Sequence, residues 1–316
     1  MMVDFAGFGF STSWFEKGPM QGGRDAFGVN WVRPASGGGA PIPEPGNFLL
    51  NIDNFVKWRD LITIPKAEEV GIEKVAEMEF KMMPVDRSRI AMEYASGNGV
   101  FERLAALMGF EDALIALVEE PEEVKELFSE ITKFKIDVIR KVKTIYQPDF
   151  VDYFDDIATE RGMFMSKEVY RELIKPFHKQ FYDAVWDLDM IPIQHTCGYC
   201  QDMVEDFIDT GAQAWTSVQP TNDIEMLCET YGDRMAFIGG FNTNGRPGQP
   251  DASEEEREKE IHRCLDTYGK YDSFILGAGI LVNTIDPREK MAAAKPMMDE
   301  AVRYAQELRK TRGIKR

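Results

Sequence analysis

From about residue 88 onward, short apolar runs rich in β-formers alternate with longer amphipathic stretches, and this alternation constrains the fold more than any other feature. The β-rich runs cover 90–95, 150–157, 190–196, 214–219, 235–241 and 274–282. Each is mostly apolar, as expected of strands covered on both faces. Between them lie helical signals. Pro121 suits a first helical position, and Val124, Leu127, Ile131, Phe134, Val138, Val142 and Ile145 then recur at three- and four-residue steps as one apolar stripe. Ser166 reads as an N-cap before Tyr170, Leu173 and Phe177. Ser253 with Glu256 forms a capping-box signature before Ile261, Leu265 and Tyr268. Asp286, Pro287 and Glu289 open a last helix. Thr230-Tyr231-Gly232 and Thr267-Tyr268-Gly269 each precede a strand, with a glycine placed for a left-handed helix stop.

Strand and helix in unbroken alternation imply a parallel sheet, either open and doubly wound or closed. The position of the polar residues separates the two. Asp155-Asp156, His195-Thr196-Cys197, Gln219, Asn242 and Asn283 end five different runs. An open sheet gathers its ligands at one switch point, whereas a barrel collects them from many strand ends. The expectation is an α/β fold of (β/α)8 TIM-barrel type, a single domain over 1–316 with its barrel core at 85–305. Residues 1–65 differ from the rest. They hold Gly37-Gly38-Gly39-Ala40-Pro41 and Pro43-Glu44-Pro45-Gly46, yet also Phe8, Phe10, Trp14, Phe15, Phe27, Trp31, Phe48, Phe55 and Trp58. A disordered linker is poor in aromatics, so an ordered, irregular cap that walls the pocket is expected.

The formal net charge of −17 disfavours phosphate-backbone partners, which need clustered cations, so no nucleic acid is expected. The basic end, Arg309 to Arg316, reads as a solvated tail. No run of about 18 apolar residues occurs, so no membrane span is expected. Met1-Met2-Val3-Asp4-Phe5 lacks a secretion pattern, which points to the cytoplasm and to unpaired cysteines. Of the four cysteines, Cys228 and Cys264 fall in helical patterns as small core residues.

Cys197 and Cys200 belong to His195-Thr196-Cys197-Gly198-Tyr199-Cys200, directly after the run Met190-Ile191-Pro192-Ile193. Residues two apart in extended backbone face the same way, so His195 and Cys197 project together at a spacing suited to one metal ion. Gly198 permits a sharp turn that brings Cys200 back. The plainer reading is a buried histidine beside two inert thiols. Asp155 and Asp156 are either pocket acids, one with a raised pKa and fit to carry a proton, or helix caps. Gln219, Asn242 and Asn283 either position a polar ligand or cap loops. His178 and His262 lie in helical patterns and read as packing or surface residues.

Asp155-Asp156, Arg161-Gly162 and the Ser166, Tyr170, Pro176-Phe177-His178 spacing resemble the central block of the uroporphyrinogen decarboxylase superfamily. His195-Thr196-Cys197-Gly198 resembles the His-x-Cys-Gly of its corrinoid-linked branch, which includes methylcobamide:coenzyme M methyltransferases. Gly239-Gly240-Phe241-Asn242, Gly277-Ala278-Gly279-Ile280 and Asp286-Pro287 sit where that family has its last strands. The resemblance implies a (β/α)8 barrel with its pocket at the strand C-terminal ends. True decarboxylases of this kind carry an Arg-Gln-Ala-Gly-Arg-Tyr motif near the N-terminus, whereas the first arginine here is Arg24. The methyltransferase branch holds zinc through the His-x-Cys pair and a later cysteine, whose matching position here is Ala278.

The expected function is therefore a corrinoid-dependent methyltransferase. It would move a methyl group between a small donor or acceptor and a corrinoid carried by a partner protein, with zinc on His195, Cys197 and Cys200 and a proton handled by Asp155 or Asp156. A metal-free decarboxylase of a smaller carboxylate is the alternative, and a non-catalytic ligand-binding barrel is a second. The resemblance also implies a homodimer.

Overall fold

The computed structural model describes residues 5–8, 22–34, 41–279 and 287–311. Seven described strands form one sheet: β1 (Phe5–Phe8), β2 (Ala91–Ser96), β3 (Phe150–Phe154), β4 (Ile191–His195), β5 (Ala214–Val218), β6 (Ala236–Gly240) and β7 (Phe274–Gly277). Their order in space is their order in the chain, and every neighbouring pair is parallel. A doubly wound sheet reverses order at a switch point, and no reversal occurs among these strands. Uniform winding with right-handed crossovers puts every helix on one side, so the other face of the sheet curls inward. This is the TIM-barrel architecture.

The connecting helices are α1 (Ile72–Met82), α2 (Val100–Met108), α3 (Phe110–Glu119), α4 (Pro121–Ile145), α5 (Lys175–Asp187), α6 (Val204–Thr210), α7 (Ile224–Tyr231), α8 (Glu254–Tyr268) and α9 (Pro287–Thr311). Strand alternation sorts the side chains into two layers. Tyr94, Tyr153 and Trp215 are fully buried and point outward, with Tyr153 packed on Phe181 and Tyr182 of α5 and Trp215 on Phe207 of α6. Glu93, Asp152, Phe154, His195 and Thr216 alternate with them and face inward. None of the described helices is long and apolar enough to cross a membrane.

The capping signals hold. The Ser166 hydroxyl accepts from Val169 N, and the Ser253–Glu256 capping box is reciprocal. Cys228 and Cys264 are buried free thiols. Asp286 lies outside the described residues.

Two expectations need correcting. Phe5–Phe8 is no irregular cap segment but the first sheet strand, registered Phe5 to Ala91. Its short, glycine-containing Phe5-Ala6-Gly7-Phe8 sequence hides it among turn formers. Gly232 and Gly269 are not left-handed stops, for their φ values are −65° and −67°. They are glycines for space: a Cβ on Gly232 would lie 2.4 Å from Ser273 Oγ, and one on Gly269 2.4 Å from Leu265 O.

Between β1 and β2, Gly23–Arg24, Asn30–Val32 and Ile42–Pro43 make a small antiparallel sheet. It is riveted to the barrel by Asp25, whose carboxylate accepts from Phe27 N, Val29 N, Trp31 Nε1 and the buried Arg103 of α2. Phe27 stacks edge-on against Phe134 of α4, and both it and Trp31 are buried core residues.

Candidate active site

The C-terminal ends of β3, β4 and β5 bring the chemistry together. β3 and β4 pair with Phe154 opposite His195, and β4 and β5 with His195 opposite Thr216. One row across three strands therefore reads Phe154, His195, Thr216. The His195 ring stacks on Phe154 at a centroid separation of 3.8 Å and 15° between planes. Its Nδ1 lies 3.0 Å from Thr216 Oγ1, which donates to the buried Asp152 carboxylate at 2.9 Å. Its other edge faces Cys197, with Nε2 3.8 Å from Sγ.

Asp156 joins this pair. Its Oδ1 accepts from Cys197 N at 2.7 Å, and ligand atoms of Asp156, His195 and Cys197 all lie within 4.8 Å of one another. Donor atoms around one zinc ion sit roughly 3–4 Å apart, so small movements would close this triplet on a metal. All three residues are partly buried. The backbone that presents Cys197 is held by Gly198, whose φ of +91° puts it in the left-handed region. A Cβ there would lie 2.5 Å from Thr159 O, so only glycine lets the loop seat against the hairpin at 158–163.

The other sequence candidates are placed differently. Asp155 is fully buried and does not enter the triplet. Its carboxylate accepts from Phe101 N and Glu102 N at the start of α2 and lies 2.7 Å from Nε2 of the equally buried His178. A Cβ on Gly99 would lie 2.2 Å from the Asp155 side chain, a measure of how closely the carboxylate sits over that helix end. Asp155 is a cap, because β3 ends at Phe154 and the two acids after it diverge. Cys200 is buried too, and its N–H donates to the Asn222 carboxamide. Burial, followed by the nearby Asp156 and Cys197, pushes its thiol well above the ordinary range. Its sulfur is not part of the cluster of candidate ligand atoms, which is made by Asp156, His195 and Cys197.

Gln219 ties down the loop after β4, accepting from Gly198 N at 3.2 Å. Asn242 is exposed and caps its own turn by accepting from Gly245 N at 3.0 Å. Asn283 lies outside the described residues. Sequence reasoning missed Asp152, Thr216 and Glu93. Their signal was a polar residue alternating with an outward aromatic inside an apolar run: Glu93 before Tyr94, Asp152 before Tyr153, Thr216 after Trp215. Burial raises the Glu93 carboxyl to about 7.

Comparison with known proteins agrees with this frame. Residues 98–303 match the family model described as uroporphyrinogen decarboxylase (URO-D). A curated uroporphyrinogen decarboxylase from Chlorobium limicola is 22% identical, over 81% of this chain and 82% of its own. Among solved structures, a methyltransferase from Methanosarcina mazei superposes with a TM-score of 0.62 at 13% identity, covering 88% of this chain and 76% of that one. At that identity the likeness speaks for the barrel fold. The family match spans well over half the chain, and the protein belongs to the uroporphyrinogen decarboxylase family.

Proposed function

We propose that this family member is a zinc-assisted methyltransferase that passes a methyl group between a small acceptor or donor and a corrinoid held by a separate protein. The observation that carries the reading is the convergence of Asp156, His195 and Cys197 within 4.8 Å at adjoining strand ends. An imidazole nitrogen, a thiolate and a carboxylate are the donor types zinc takes, and three protein ligands leave one position open. Zinc bound there would supply Lewis acidity that lowers the pKa of a thiol or similar acceptor. The chain's own part is to fix the ligands. Phe154 and Thr216 hold the His195 ring, and Asp156 braces the Cys197 backbone.

A second reading, a carboxy-lyase, is favoured by the decarboxylase named among the relatives. Against a tetrapyrrole bearing many carboxylates stands the site itself, where Asp152 and Asp156 are both acidic and like charges repel.

Metal analysis after zinc reconstitution, paired with demethylation of methylcobalamin by small thiols, tests the proposal. The expected result is about one zinc per chain, lost in His195→Ala, Cys197→Ser and Asp156→Asn, retained in Cys200→Ser, with activity abolished by a chelator. A wild-type protein that takes up no zinc would overturn the metal role. Decarboxylation of a small carboxylate that survives chelation would establish the second reading.

A further inference from the structure

Resting on the metal reading, we infer that Thr216 and Asp152 are positioning residues that fix the tautomer and rotation of His195 and so aim Nε2 at the candidate metal position. A carboxylate only accepts hydrogen bonds, and both Asp152 oxygens lie 2.9 Å from Thr216 Oγ1. The single hydroxyl proton of Thr216 is therefore committed to Asp152. The hydroxyl keeps lone pairs, and His195 Nδ1 approaches it at 3.0 Å. The consistent assignment is that Nδ1–H donates to Thr216. Nε2 is then the unprotonated nitrogen, and it is Nε2 that faces Cys197.

The Asp152 Oδ2 is 3.9 Å from Nδ1, too far for a hydrogen bond to the ring. The hydroxyl is the link between carboxylate and imidazole. Thr216 and Asp152 are 8% and 3% exposed, so bulk water competes little for these bonds. The face of the ring is fixed separately by Phe154. Three strands thus set three constraints: Phe154 from β3 on the ring plane, Thr216 from β5 on its edge, and the β4 backbone on its origin. A carboxylate behind a metal-binding histidine orients the ring and raises its basicity, and losing such a partner costs roughly 10–100-fold in affinity. Here the same effect passes through one hydroxyl.

Thr216→Val keeps the shape and removes the hydroxyl, and Thr216→Ser keeps the hydroxyl. Zinc dissociation constants from competition with a chelating dye should weaken roughly 10–100-fold in Thr216→Val and Asp152→Asn, while Thr216→Ser stays within about twofold of wild type. Long-range nitrogen–proton NMR of the metal-free protein should show the Nδ1–H tautomer at His195 in wild type and Thr216→Ser and a mixture in Thr216→Val. Unchanged zinc affinity and tautomer in Thr216→Val, or an Nε2–H tautomer in wild type, would overturn the inference. Failure of the metal reading is distinguishable: wild type would bind no zinc while its tautomer still depended on the Thr216 hydroxyl.

Discussion

Glu93→Gln isolates the electrostatics of the barrel interior. Glu93 stands on the inward face of β2, registered against Phe150 of β3, two residues before the Ala95–Asp152 pair. Its carboxyl is raised from 4.5 to about 7, and the cause is desolvation. A displacement of that size corresponds to roughly 3 kcal/mol. Below about pH 4.5 the residue is protonated whether the chain is folded or not, so it contributes no difference there. Between about 4.5 and 7 the unfolded chain releases the proton while the folded chain keeps it, and stability falls as pH rises. Above 7 the deficit is complete and constant. Glutamine keeps the shape and cannot ionise. The variant should match wild type near pH 4 and exceed it at pH 8 by up to roughly 3 kcal/mol, or roughly 4–5 °C in melting temperature for a chain of this size. Melts of chelator-treated protein at pH 4.5, 6 and 8 measure this, and the difference between the two proteins cancels every other titration. A difference that stays flat with pH, or a variant less stable at pH 8, would refute the desolvated-carboxyl account.

Two further substitutions separate scaffold from site. Asp155→Ala removes a buried cap from α2 and strands His178, so stability should drop by roughly 3 kcal/mol in urea melts; a variant that melts like wild type but loses activity would make Asp155 a catalytic acid instead. Gly198→Ala forces a side chain into the left-handed region and against Thr159 O, so it should cost roughly 2 kcal/mol and lower zinc content with it; unchanged stability and metal content would show that the 197–200 loop does not depend on this seat.

The strands were legible because burial on both faces leaves them apolar in sequence. The runs at 190–196 and 214–219 match Ile191–His195 and Ala214–Val218 to within a residue or two. His195 and Cys197 were legible because period-two geometry is local. What was not legible depends on partners distant in the chain. Nothing beside Asp155 shows that Gly99 and the start of α2 will sit under it. Nothing beside Cys200 shows that Asn222 will draw its backbone inward. Adjacent acids look like a pair on paper, but past the end of a strand successive side chains part: Asp155 goes to a helix terminus and Asp156 to Cys197.

The exchange of ligands proposed above has a consistent physical logic. The third cysteine that the resemblance implies falls on Ala278, just beyond β7. β7 adjoins β6 and is two strands removed from β5, whereas β3 pairs directly with β4. A ligand from the end of β3 therefore reaches the His195–Cys197 pair from the neighbouring strand. Replacing a thiolate by a carboxylate keeps the donor charge at minus two, so a divalent ion remains neutralised with one position open. The donor is harder, however, and gives less electron density to the metal, which leaves the ion the stronger Lewis acid. A centre of that kind suits acceptors that must lose a proton to react.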